Sequence, residues 1–122
     1  MMGVALLDEL VDAVRASWSR HTSNDPDNWS PNLPEVGQCA VSALVVQSVL
    51  GGDLLRAKVG DVSHYWNLLP GGREVDLTRG QFDTFEPVDV SVREREYVLS
   101  FPDTADRYRL LWSLVTERLG SD

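Results

Sequence analysis

The chain has 122 residues, with 11 basic and 19 acidic side chains and a formal charge of −8. That balance repels phosphate backbones and anionic lipid surfaces, so neither nucleic acid nor membrane is an expected partner. The length suits a single domain, residues 1–122, that needs no disulfide or structural metal, and the single cysteine excludes an internal disulfide. No apolar run reaches the roughly 18 residues of a membrane span. Met1-Met2-Gly3-Val4 lacks the basic region of a signal peptide, so a cytoplasmic protein is expected.

Val4, Leu7, Val11, Val14 and Trp18 recur at steps of three and four, which predicts an amphipathic helix ending near Arg20. Thr22 to Val36, with Pro26, Pro31 and Pro34, reads as a long loop of the kind that borders binding sites. Trp29 within it is expected to pack on the core, or to wall a cleft. The apolar run Cys39 to Leu50, closed by Gly51-Gly52, predicts a buried central helix. Leu54 to Val59 reads as a strand. His64 to Leu69 and Glu74 to Thr78 read as a hairpin across Pro70-Gly71-Gly72. Phe85 to Val90 contains Pro87 and suits an irregular segment or an edge strand, and Arg95 to Ser100 suits a further strand. Asp103 or Thr104 is the expected cap of a last helix whose inward stripe is Tyr108, Leu111, Trp112, Val115 and Leu119. The expected fold class is α+β: a central buried helix on a small antiparallel sheet, flanked by N- and C-terminal helices.

One constellation carries chemistry. Cys39 stands at a helix start behind Gly37-Gln38, where unpaired N–H groups favour a thiolate. His64 begins a strand within Ser63-His64-Tyr65-Trp66-Asn67, and its pattern puts it on the face expected to meet the central helix. Asp76 follows in Val75-Asp76-Leu77-Thr78. A three-residue turn pairs Leu69 with Arg73 and puts His64, Trp66, Asp76 and Thr78 on one face. In that register Asp76 can orient His64, and His64 can serve Cys39 as base. The candidate catalytic residues are therefore Cys39, His64 and Asp76. The Cys39 backbone N–H with Gln38 is the expected oxyanion site, with Asn32 and Trp29 as further substrate-side candidates. The same three residues would make a zinc site, but no CxxC or HxxxH spacing accompanies them, so no metal or cofactor is expected. His21 is expected at the surface.

The run from Gly37 to Thr78 resembles a shortened transglutaminase-like core, a branch of the papain-like cysteine enzymes. The matching residues are Cys39 at a helix start, His64 with Trp66, Gly71-Gly72, and Asp76 with Thr78. The wording around Gly37-Gln38-Cys39-Ala40-Val41, Ser63 to Asn67 and Val75 to Thr78 is also similar to a small bacterial family called YunG-like. The first resemblance implies a thiol hydrolase or acyltransferase on an amide, ester or thioester, with a small-molecule or peptide acyl substrate. Proteins of that type include proteases, amidases, acyltransferases, cross-linking enzymes and inactive relatives. The alternatives are a non-catalytic binding or interaction module on the same scaffold, and a redox sensor acting through Cys39. The sequence sets no oligomeric state.

Overall fold

The computed structural model describes residues 2–120, with side chains described for 6–120; Val4 of the first stripe lies outside the described side chains. Helix α1 is Met2–Ser17, α2 is Cys39–Leu50, α3 is Arg95–Leu99 and α4 is Pro102–Arg118. Strands β1 (Asp53–Val59), β2 (Val62–Leu68), β3 (Glu74–Val75) and β4 (Val88–Arg93) form one antiparallel sheet in the order β3-β2-β1-β4. The α+β class expected from the sequence is present. No helix among the described residues is long and apolar enough to cross a membrane.

Leu10, Ala13, Val14 and Trp18 of the first segment meet Val41, Val45 and Val46 of α2 and Leu111 and Val115 of α4 in one buried cluster. The valine-rich α2 is helical because nearly every face of its first two turns is covered; Cys39 and 41–46 are all buried. Tertiary packing here overrides the modest helix propensity of valine. Trp18 Nε1 donates to Ser42 Oγ at 2.8 Å, which satisfies the indole inside that core.

The hairpin register follows its turn. Leu69 N donates to Arg73 O at 2.7 Å, and Asn67 lies opposite Val75. The second strand is shorter than expected, ending at Val75 rather than Thr78. Asp76 stops it: Thr78 N donates to Asp76 Oδ1 at 3.1 Å, a local turn that competes with the ladder and leads Leu77 into the helical core.

Three further expectations are corrected. Arg95–Leu99 is a helix, not a strand. One helical turn lets Val98 enter the cluster of Ala43, Leu44 and Leu54, while Arg95 donates to Leu44 O and Gln47 Oε1 of α2. The N-cap of α4 is Phe101 with Pro102 following it, so Asp103 and Thr104 lie inside the first turn. Most important, α2 does not pack on the His64 face. It packs on the face of Leu54, Tyr65 and Asn67; Asn67 Nδ2 donates to Ala43 O at 2.9 Å. His64 and Trp66 point to the other face, with Leu55 and Ala57.

Candidate functional site

Cys39 is the first residue of α2. Gly37 makes the approach possible: its φ is +74°, and a Cβ there would collide with Ser23 Oγ and with Asn24. Asn24 N donates to Gly37 O at 3.0 Å and Ser23 Oγ donates to Val36 O at 2.7 Å, so the loop is clasped at its base immediately before the cysteine. The Cys39 thiol is directed at the carbonyl oxygen of Ser63, 4.0 Å away, at the start of β2. The helix end thus abuts the strand that carries His64, although the helix body covers the opposite face.

His64 Nε2 and Asp76 Oδ2 are 2.6 Å apart. Asp76 divides its oxygens: Oδ2 meets the imidazole and Oδ1 accepts from Thr78 N. The other ring nitrogen, Nδ1, is buried and has no hydrogen-bond partner among the described residues. Burial of the ring opposes its charged form. The Asp76 hydrogen bond and then the neighbouring Cys39 sulfur outweigh that burial and push the His64 pKa from 6.5 up to about 9. Asp76 thus holds the imidazole at Nε2, and the Cys39 sulfur, directed at Ser63 O one residue before His64, is among the neighbours that favour the charged ring.

Aromatic rings enclose the pair. Trp66 stacks at 5.5 Å from the His64 ring, held by its own Nε1 bond to Glu74 Oε1 at 2.7 Å. Phe82 and Phe85 meet His64 edge-on at 4.9 and 5.7 Å. His64 is 0% exposed and Cys39 7%. Beside Cys39, Ser42, Ala43, Tyr65, Trp66, Asn67, Leu77 and Thr78 close on a crevice with no room for a water molecule, about 0 Å³. Beyond Asp76 lies a roomier cavity of about 290 Å³ lined by Trp66, Glu74, Arg79 and Phe85.

The remaining expectations are revised. Gln38 does not offer its side chain to an oxyanion. Its Nε2 donates to Ser19 O at 3.0 Å, its Oε1 accepts from Thr22 Oγ1 at 2.7 Å, and its backbone N–H is bound to Glu35 O. Trp29 is only partly buried and is folded into its own loop rather than onto the core, with Nε1 bonded to Pro34 O and Arg20 over its ring. Asn32 is exposed. Neither Trp29 nor Asn32 lines the crevice at Cys39. Sequence reasoning missed the aromatic cover: Phe82 and Phe85 lie in a segment without periodicity, and only their proximity in space marks them. Among the described residues, no group of three or more His, Cys, Asp or Glu side chains is arranged to hold a metal ion.

The YunG protein family model matches residues 6–120. Over 69 residues the chain is 38% identical to "Uncharacterized protein YunG" of Bacillus subtilis (strain 168). The alignment covers 57% of this chain and 56% of that protein, so the match spans about half the length of each. No solved structure matches. The extent of the family match, which takes in both terminal helices, the clasped loop and the Cys39, His64 and Asp76 positions, places the chain in the YunG family.

Proposed function

We propose that this chain is a cysteine-dependent hydrolase or acyltransferase acting on an amide, ester or thioester of a small-molecule or peptide substrate. The observation that carries the reading is the polarity of His64. One ring nitrogen is committed to Asp76 at 2.6 Å, and the other is buried without a partner among the described residues while the Cys39 sulfur acts on the ring. A histidine oriented in this way by an acid can hold a proton beside the sulfur and deliver it to a leaving group. With its pKa near 9, His64 carries its proton at neutral pH. Attack of Cys39 on the carbonyl would give a thioester, released by water or by an acceptor. The order of the three residues also supports a transglutaminase-like, papain-like core.

A second reading, a binding module without turnover, is favoured by one observation. His64 is fully buried and Cys39 nearly so, beneath Phe82 and Phe85. Alkylation of Cys39 by iodoacetamide across pH separates the two. The enzyme reading expects rapid labelling at about pH 6–7 that falls at least about tenfold in His64→Ala. Labelling that follows an ordinary thiol with a pKa of about 8.5, or that requires unfolding, would overturn the enzyme reading.

A further inference from the structure

Resting on that reading, we infer that Arg56 and Arg93 hold a carboxylate of the acyl substrate beside Cys39, so that the substrate is an anion. The chain carries 19 acidic and 11 basic side chains, a formal charge of −8. Arg56, Lys58 and Arg93 nevertheless share one face of the sheet where β1 meets β4. In the register, Arg56 lies opposite Tyr65 and Ser91, Lys58 opposite Ser63 and Val88, and Arg93 opposite Leu54. None of these opposed residues is acidic, and neither guanidinium makes an ion pair among the described residues. A cationic corner without an internal counter-charge, on a protein this acidic, attracts an external anion.

Ser63 links that corner to the sulfur. Its carbonyl receives the Cys39 thiol at 4.0 Å, and its hydroxyl accepts from Arg56 Nη2 at 2.7 Å. Tyr65, opposite Arg56, also closes on the crevice at Cys39. Burial pushes the Tyr65 hydroxyl pKa up; Arg56, Tyr97, Cys39 and Arg93 are the titratable neighbours that act on it, the two arginines to lower it. The phenol is thus common ground for both guanidinium groups and the sulfur. Arg93 has hydrogen bonds to give: its guanidinium lies over the Tyr97 ring at 5.6 Å, and its Nε is buried with no partner among the described residues. An arginine fork on an aromatic face is a stiff, weakly hydrated donor set that matches the paired oxygens of a carboxylate. Both arginines are half-buried, so an anion there meets them in a medium less polar than bulk water. Lys58 is exposed and adds only charge.

The test compares two thiol reagents of similar size: N-(2-carboxyethyl)maleimide, an anion at about pH 7, and neutral N-ethylmaleimide. Any opening of the site needed for labelling cancels in the ratio of their rates. A protein of net negative charge repels the anion, so without the subsite the neutral reagent should be the faster. With it, the charged reagent should label Cys39 at least about fivefold faster, and about 0.5 M NaCl should erode that preference in the native chain. Arg56→Gln should reduce the preference at least about twofold, and Arg56→Gln with Arg93→Gln should abolish it, while the rate with N-ethylmaleimide stays within about twofold as the control for folding. Glutarate should protect Cys39 from both reagents, and at lower concentration than inorganic phosphate. Equal or inverted rates in the native chain, a preference that survives both substitutions, or protection by phosphate ahead of glutarate would overturn the assignment. Failure of the underlying reading looks different: labelling by N-ethylmaleimide would show no dependence on His64, and an arginine-dependent preference would then mark an anion site on a protein without acyl chemistry.

Discussion

Asp76 holds His64 at 2.6 Å with one carboxylate oxygen and closes a turn onto Thr78 with the other. One side chain thus ends a strand and orients a ring. The substitution Asp76→Asn separates these tasks. The asparagine amide oxygen can still accept from Thr78, so the turn should persist, while loss of the counter-charge to the buried imidazolium should lower the thermal midpoint by about 10 °C. The charge that stabilises the imidazolium is lost, and the ring can adopt the wrong tautomer. Acylation of Cys39 by an activated ester should fall by about 10²-fold or more in Asp76→Asn. Stopped-flow acylation with circular dichroism as the folding control reads both effects.

The pH dependence of stability follows from the same pair. His64 binds its proton more tightly in the folded chain, with a pKa of about 9 against 6.5 when free. Between those values the folded state holds more protons than the unfolded state, so raising the pH favours unfolding. The contribution is complete below about pH 6.5 and lost as the pH rises through about 9. Urea midpoints should therefore decline across that window in the native chain. In His64→Gln this component of the decline should be missing; an identical slope in both proteins would exclude His64 as its source.

Phe82 and Phe85 limit access to the site. Phe85 lies in a stretch, 83–87, with no backbone–backbone hydrogen bonds among the described residues, and Phe82, just before it, is tied by its N–H to Arg79 O at 3.1 Å. Such a segment opens at low cost relative to the sheet. Phe82→Ala should cost about 1–3 kcal/mol, less than a fully buried phenylalanine, because the ring is only partly covered. Labelling of Cys39 by a bulky maleimide should accelerate at least about threefold, an outcome of easier local opening. Unchanged labelling would place the access route elsewhere.

Gly37→Ala should be more damaging than its size suggests. The residue has φ +74°, and the added methyl meets Ser23 and Asn24. A loss of about 2 kcal/mol or more in denaturant titrations is expected, from left-handed strain together with the collision. Because the clasp sets the start of α2, the same variant should also slow Cys39 alkylation at neutral pH.

Much of this arrangement is legible from residue order. The bounds of α2 are readable because an unbroken apolar run ends on a glycine pair, and the hairpin register because Pro70-Gly71-Gly72 allows few ways to reverse the chain. That register alone puts Asp76 beside His64. Which side of the sheet the central helix covers is not readable. Both faces of β2 carry residues that bury, Trp66 on one and Asn67 on the other, so alternation alone does not distinguish them. Asn67 has the character of a solvent-side residue, yet its amide is consumed inside the core by Ala43 O. Arg95–Leu99 is ambiguous for a related reason: five residues hold too little periodicity to separate a turn of helix from a strand, and its contacts with α2 decide it. Gln38 suggests an oxyanion donor only by its neighbourhood to Cys39, whereas its hydrogen bonds run backward to Ser19 and Thr22.

The bond from Asn24 to Gly37 has an evolutionary corollary. It makes the intervening stretch a loop anchored at a neck, with Trp29 Nε1 bonded to Pro34 O inside it and Arg20 donating to Pro26 O and Trp29 O from outside. Insertions or deletions beyond the neck would leave the sulfur where it stands. Length and composition can vary in that stretch while the neck stays fixed.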